Sequence, residues 1–351
     1  MQQIVKSSQP ATDIEKIVGL IPHDKLFLLT DTHTHQYCLP LLAGVSIIRE
    51  ATEIVVPADD THKTLESLST VWLNLTRHGA TRHSLLINLG GGMVTDLGGF
   101  AAATFKRGIK YINLPTTLLG AVDAAVGGKT GINFGGYKNE IGAFYPSEYV
   151  IISSHFFGTL DRHAILSGYA EMIKHALIRS VADWEQILTF NFDEPDYAAL
   201  NELVFRSVEI KREIVEKDPY EKNIRKALNL GHTTGHAFES FAISNGNPVP
   251  HGYAVAWGMI VELYLSHRIC GFPKEKLLKT VRFIQQHYGA FPIGCDNYER
   301  LNEITQHDKK NVGSQTNFTL LSDIGEVQID QTADKELFFE ALDFYRDSVG
   351  L

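Results

Sequence analysis

Leu85 to Ala103 reads LLINLGGGMVTDLGGFAAA, and this stretch decides the fold. Leu85 to Leu89 is an apolar run that stops at Gly90-Gly91-Gly92, after which small and apolar residues continue at helical spacing. A buried strand, a glycine turn and a helix, in that order, form a phosphate cradle. Glycines let backbone amides approach an anion closely, and a helix N-terminus adds roughly half a positive charge. Position 95 is Thr, so the segment is not a GxGxxG fingerprint, and it lacks the Lys-Ser/Thr of a P-loop. The competing reading is a tight turn of purely structural origin.

Outward from this segment, further apolar runs at Lys25–Thr30, Glu53–Val56, Ser84–Leu89, Lys110–Leu114 and Tyr149–Ser153 are bounded by Gly, Pro or Asp. Runs apolar on both faces and separated by helix-length segments predict parallel strands covered by helices. From about Leu160 the period changes to 3.6, with amphipathic stretches at 164–180, 196–216, 231–244, 253–269, 274–287 and 335–348. Asn317 to Asp330 reads as a small hairpin around Asp323-Ile324-Gly325. The expectation is an α/β protein with a Rossmann-like nucleotide-binding domain over residues 1–159 and a mainly helical domain over 160–351. There is no internal repeat.

The length of 351 residues suits two domains, and a net charge of −9 argues against nucleic-acid or anionic-membrane partners, which demand a basic field. No stretch approaches the roughly 18 apolar residues of a membrane span, and the N-terminus lacks a signal-peptide core. Three cysteines, Cys38, Cys270 and Cys295, show no CxxC spacing. The chain therefore reads as cytoplasmic, and any metal must be held by His and carboxylate.

Two further segments carry chemistry. Tyr111 to Phe144 is dense in glycine and polar residues: Thr116 and Thr117 close a strand, Asp123 sits among small residues, and glycine pairs present Lys129 and Lys138-Asn139 on what read as short loops. Such lysines suit a compact anionic substrate, and equally an exposed mobile loop. Asn229-Leu-Gly-His232-Thr-Thr-Gly-His236 places two histidines at i, i+4 on one helical face, a spacing that can chelate a divalent ion. His251, opening the next helix, and Glu171, beside Lys174 on an earlier one, complete a His/Glu set with an open coordination position. One of the three histidines can instead be an acid/base group. Scattered cations, Arg107, Lys211, Arg225 and Lys309-Lys310, suit a substrate with two anionic groups.

These motifs in this order, GGGMVTDLGGFAAATFKRG, LPTTLLGAVDAAVGGKTGIN, KNEIGAFY, GYAEMIKHALI, RKALNLGHTTGHA, HGYAVAWGM and DKKN, resemble the 3-dehydroquinate synthases of the shikimate pathway. The matching blocks run from about Asp31 to Lys310. The resemblance implies a homodimeric carbon–oxygen lyase with NAD and a divalent metal, Zn2+ or Co2+. It implies Glu171, His232 and His251 as metal ligands, which moves His236 to the substrate phosphate. It further implies Asp123, Lys129, Asn139, Lys174, Lys211, Arg225, Asn229 and one of Lys309 and Lys310 as substrate-site residues. Arg107 would reach the partner's phosphate pocket. NAD would fall to Asp31, Asp60, Lys63, Gly91, Gly92, Asp96, Thr116, Thr117, Lys129, Lys138 and Thr159. Asp60 departs from the family pattern, being one methylene shorter than the usual Glu.

The implied reaction converts 3-deoxy-D-arabino-heptulosonate 7-phosphate to 3-dehydroquinate and phosphate by transient oxidation, β-elimination, re-reduction and an intramolecular aldol. Rival readings are a cyclase acting on sedoheptulose 7-phosphate, which lacks the carboxylate, and a metal- and NAD-dependent polyol dehydrogenase. A ligand-binding descendant without activity is the non-enzyme alternative. Lys211 and Asn139 favour the carboxylate substrate.

Overall fold

The computed structural model describes residues 2–135, 137–306 and 316–351. It divides into two compact units, Met1–Gly168 with Asp196–Arg212, and Tyr169–Pro195 with Glu213–Leu351.

The first unit holds β1 (Gln3–Lys6), α1 (Pro10–Leu20), β2 (Leu26–Asp31), α2 (Thr32–Tyr37), α3 (Ser46–Glu50), β3 (Thr52–Val56), α4 (Leu65–Arg77), β4 (Leu85–Gly90), α5 (Gly92–Thr104), β5 (Lys110–Pro115), β6 (Lys129–Phe134), β7 (Tyr137–Phe144) and β8 (Tyr149–Ile152). Six strands pair in parallel in the order β1-β8-β5-β4-β2-β3. Alternate residues face opposite sides, so Leu28, Ile87 and Ile112 pack with Ile14, Ile17 and Val18, while Phe27, Leu29 and Leu86 pack with Leu68, Val71 and Leu97. Both faces are buried, which is why these strands read as unbroken apolar runs. The chain leaves β2 toward β3 on one side and returns to β4 on the other. That reversal opens a crevice at the carboxyl ends of β2 and β4, where open α/β sheets take ligands.

The second unit is mainly helical, as the 3.6 period implies. It takes the end of α6 (Arg162–Leu177), α7 (Val181–Ile187), the end of α8 (Tyr197–Lys217), α9 (His232–Ser244), α10 (His251–Leu265), α11 (Lys274–Tyr288), α12 (Tyr298–Gln306) and α13 (Lys335–Val349), with β9 (Asn317–Asp323) and β10 (Glu326–Thr332) as the expected antiparallel hairpin. Every residue of α10 from Gly252 to Leu263 is buried, so this apolar helix is the spine of the unit. No helix among the described residues is long and apolar enough to cross a membrane.

One local expectation is corrected. Lys129 and Lys138-Asn139 stand on a two-stranded antiparallel sheet, β6 with β7, and not on short loops. The glycines there serve strand pairing: Gly131 lies opposite Gly142, and a Cβ on Gly142 would meet the Thr130 carbonyl oxygen at 2.0 Å.

Candidate active site

At the crevice of the first unit, Gly91 caps α5 with no side chain of its own. Its φ of −73° is ordinary, so crowding demands the glycine: a Cβ would meet Thr117 Cγ2 at 2.9 Å, and one on Gly92 would meet Ala124 Cβ at 3.2 Å. Thr116, just after β5, has a buried Oγ1 with no hydrogen-bond partner among the described residues. Asp31 ends β2, and its carboxylate accepts from the Thr34 amide at 2.7 Å, which caps α2. Thr159 is exposed, its hydroxyl donating to the Phe156 carbonyl at 2.7 Å.

Lys63 organises the polar side of the same unit. It is 4% exposed, and its Nζ donates to Asp96 Oδ2 at 3.1 Å and to Asn139 Oδ1 at 2.6 Å, with Asp60 Oδ1 at 3.4 Å. Lys138 meets the other oxygen of Asp60 at 2.9 Å. Burial disfavours the Lys63 charge, but Asp96 and Asp60 outweigh it and hold the ammonium protonated. Asn139 has a left-handed φ of 58° and its amide donates to Asn133 Oδ1 at 3.2 Å. Asn133 also donates to the Asp60 carbonyl at 3.0 Å, a role sequence reading did not find. Lys211, 6% exposed, donates to Asp123 through both its carboxylate, at 2.5 Å, and its carbonyl, at 2.6 Å. Lys129 is exposed, and Arg107 is exposed just after α5 with a left-handed φ of 68°.

In the second unit, Glu171 is fully buried, and its Oε1 has no hydrogen-bond partner among the described residues. His232 Nε2 lies 3.4 Å and His251 Nε2 3.5 Å from that orphaned oxygen. Lys174, itself 1% exposed, donates to the opposite oxygen, Oε2, which leaves Oε1 aimed at the imidazoles. His232, His236 and His251 bring ring nitrogens within 4.8 Å of one another. Two further contacts fix the rings: His232 Nδ1 faces the Leu230 carbonyl at 3.1 Å, and His251 Nδ1 faces Glu239 Oε2 at 3.3 Å.

The electrostatics match a cation. Burial disfavours the Glu171 charge, yet Lys174 and then His232 hold its carboxyl well below the usual carboxylate range. Burial and the Lys174 charge lower His232 to about 3, so its ring is neutral and free to ligate. Burial opposes a charge on His251 too, but Glu171 and Glu239 raise it to about 10. The pocket thus favours positive charge between two carboxylates. A neutral His232 imidazole, a buried carboxylate oxygen facing two Nε2 atoms, and second ring nitrogens held by the Leu230 carbonyl and by the Glu239 carboxylate make a donor set that fits a catalytic divalent metal.

Arg225, 2% exposed, sits on the loop before α9, with Nη1 donating to the Pro219 carbonyl at 2.5 Å, and Asn229 Nδ2 donates to Glu221 Oε1 at 2.9 Å. Asp218 clasps that loop by accepting from the amides of Lys222, Asn223 and Arg225 at 3.0, 2.6 and 3.1 Å. Lys309 and Lys310 lie outside the described residues.

A parallel α/β unit and a mainly helical unit are also the fold of solved sugar phosphate cyclases. The fold matches 2-deoxy-scyllo-inosose synthase, solved with carbaglucose-6-phosphate, NAD+ and Co2+, at a TM-score of 0.85 and 22% identity over 97% of this chain and 95% of that one. It also matches 2-epi-5-epi-valiolone synthase from Streptomyces hygroscopicus, solved with NAD+ and Zn2+, at 0.83 and 22% over 99% and 97%. Within that class, the models for 3-dehydroquinate synthase N-terminal and C-terminal regions match residues 53–167 and 168–311. The 3-dehydroquinate synthase of Parabacteroides distasonis is 51% identical over 100% of this chain and 99% of its own length. The chain belongs to the 3-dehydroquinate synthase family, enzymes that eliminate phosphate while closing a carbocycle.

Proposed function

We propose that the chain converts 3-deoxy-D-arabino-heptulosonate 7-phosphate to 3-dehydroquinate and phosphate, the shikimate-pathway reaction of its family, with NAD and a divalent metal, Zn2+ or Co2+. The observation that carries this is the orphaned Oε1 of Glu171 facing Nε2 of both His232 and His251. Relatives of the same fold were solved with NAD+ and with Co2+ or Zn2+, which supports the same pair here.

When bound, NAD supplies a reversible hydride acceptor and the metal a Lewis acid for a substrate hydroxyl. Glu171, His232 and His251 hold the metal. Gly91, Gly92, Asp96, Thr116 and Thr117 line the nucleotide at the sheet crevice, with Asp31, Asp60, Lys63, Lys129, Lys138 and Thr159 as its further contacts. Lys129, Asn139, Arg225 and His236 hold the substrate phosphate; Lys211, Arg225 and Asn229 hold its carboxylate and hydroxyls, and one of Lys309 and Lys310 adds a charge. Asp123 aims Lys211, and Lys174 aims Glu171. The substrate phosphate takes its own proton, so the protein's work is orientation and charge placement. Domains at 1–159 and 160–351 divide these tasks between nucleotide and metal.

We assign a homodimer in which Arg107 reaches the phosphate pocket of the other subunit. Its exposure and left-handed backbone after α5 support an outward-directed role. A cytoplasmic setting goes with this reading, supported by three free cysteines. The test is metal analysis of the purified wild type beside His232→Ala: one equivalent of metal and phosphate release in the first, neither in the second. Full turnover by metal-free protein would contradict the ligand assignment.

A further inference from the structure

We infer that Glu262 is a positioning residue for the metal centre: its buried carboxylate, set on α10, binds the N-terminal amides of α9 and so fixes His232 relative to His251. The inference rests on the metal-binding reading given above.

A helix start leaves amides in need of acceptors. In α4, α7 and α13 the helix's own cap residue supplies one, through Thr64, Ser180 and Asp334. The cap of α9 is Gly231, which has no side chain and a left-handed φ of 79°. Here the acceptor comes from the neighbouring helix. Glu262 Oε2 accepts from the Gly231 amide at 2.5 Å, and Oε1 accepts from the Thr234 amide at 2.9 Å. Glu262 is fully buried, a carboxylate in an otherwise apolar helix.

Crowding explains why the cap cannot be local. A Cβ on Gly231 would meet Met259 Cγ at 2.5 Å and the Val255 carbonyl at 2.9 Å, and one on Gly258 would meet the Gly231 carbonyl at 2.2 Å. The backbones of α9 and α10 therefore lie directly against each other where α9 begins. His232 is the first residue of α9 and His251 the first of α10. Glu262 follows His251 by about three helical turns and so lies on the same side of α10. The two histidines thus belong to helices joined by a two-point carboxylate clamp. The same carboxylate offsets the positive end of the α9 dipole, one residue from a group that must accept a cation.

Zinc affinity, measured by competition with a chromophoric chelator, tests this on the full chain. Glu262→Ala is expected to weaken zinc binding by up to about 100-fold and Glu262→Gln, which keeps the shape and one acceptor oxygen, by roughly tenfold. The thermal midpoint gained on adding zinc should shrink in parallel. Should the alanine variant not fold, the glutamine variant decides. Unchanged zinc affinity, with metal-free and zinc-loaded midpoints lowered equally, would mean a merely structural cap and would overturn the inference. His232→Ala separates the two levels: if it binds zinc as the wild type does, the metal reading itself has failed.

Discussion

Glu239 Oε2 lies 3.3 Å from His251 Nδ1, while Nε2 of the same ring points to Glu171 Oε1 at 3.5 Å. An ionised Glu239 favours a hydrogen on Nδ1, so that when a metal takes the place of the second ring proton it is Nε2 that faces it. Glu239→Gln should therefore weaken zinc binding by about 10- to 100-fold with the fold intact. Equilibrium dialysis against buffered zinc measures it; an unchanged dissociation constant would show that the ring is oriented by other contacts.

Asp218 holds the loop that carries Arg225 through three amides. Asp218→Asn should raise the substrate KM by about tenfold while kcat moves less, because the guanidinium is misplaced and the metal centre is untouched.

The same residue gives a pH signature. Burial raises the Asp218 pKa, but the amides of Lys222, Asn223 and Arg225 outweigh it, so the folded value lies below the ordinary one. A group with a depressed folded pKa contributes stability above its unfolded pKa and loses it as the pH falls through the folded value. The stability gap between wild type and Asp218→Asn should be full at neutral pH and close below about pH 4. Denaturant melts across that range would show it, and a gap independent of pH would contradict the assignment.

Lys63 pairs with Asp60 and Asp96, and the proposed function gives all three to the nucleotide. Lys63→Met takes that ammonium from both carboxylates, and NAD affinity should fall more than about tenfold through lost charge pairing. Fluorescence titration with NADH measures this; wild-type affinity would remove Lys63 from the nucleotide site.

The proposed sharing of sites across a homodimer makes a counting prediction. Arg107→Ala and Asp123→Asn proteins, each inactive alone, should recover about one quarter of wild-type activity when randomly re-paired, since half the dimers are mixed and each mixed dimer has one intact site. No recovery would place Arg107 in its own subunit's chemistry.

How much of this was legible in the sequence depended on whether one element held the signal. The strand, glycine turn and helix at Leu85–Ala103 could be read because contiguous residues encode all three, and β4 and α5 stand where expected. The i, i+4 spacing of His232 and His236 was visible for the same reason. β1 was missed because four residues at a sheet edge carry too little pattern. The β6–β7 pair read as loops because glycine pairs flank its lysines, while the strand contact that requires Gly131 and Gly142 is not encoded by spacing. Glu239 and Glu262 left traces, a carboxylate two turns beyond His232 and a lone charge in an apolar helix. Their partners lie on another helix, so only the fold reveals the pairing.

Product analysis tests the central claim most directly. Protein loaded with NAD and zinc is given 3-deoxy-D-arabino-heptulosonate 7-phosphate, and phosphate, 3-dehydroquinate and NADH are measured together. The account requires phosphate and 3-dehydroquinate in equal amounts with no net NADH, and no turnover of sedoheptulose 7-phosphate at a comparable rate. Accumulation of NADH without phosphate release would contradict it and indicate a dehydrogenase.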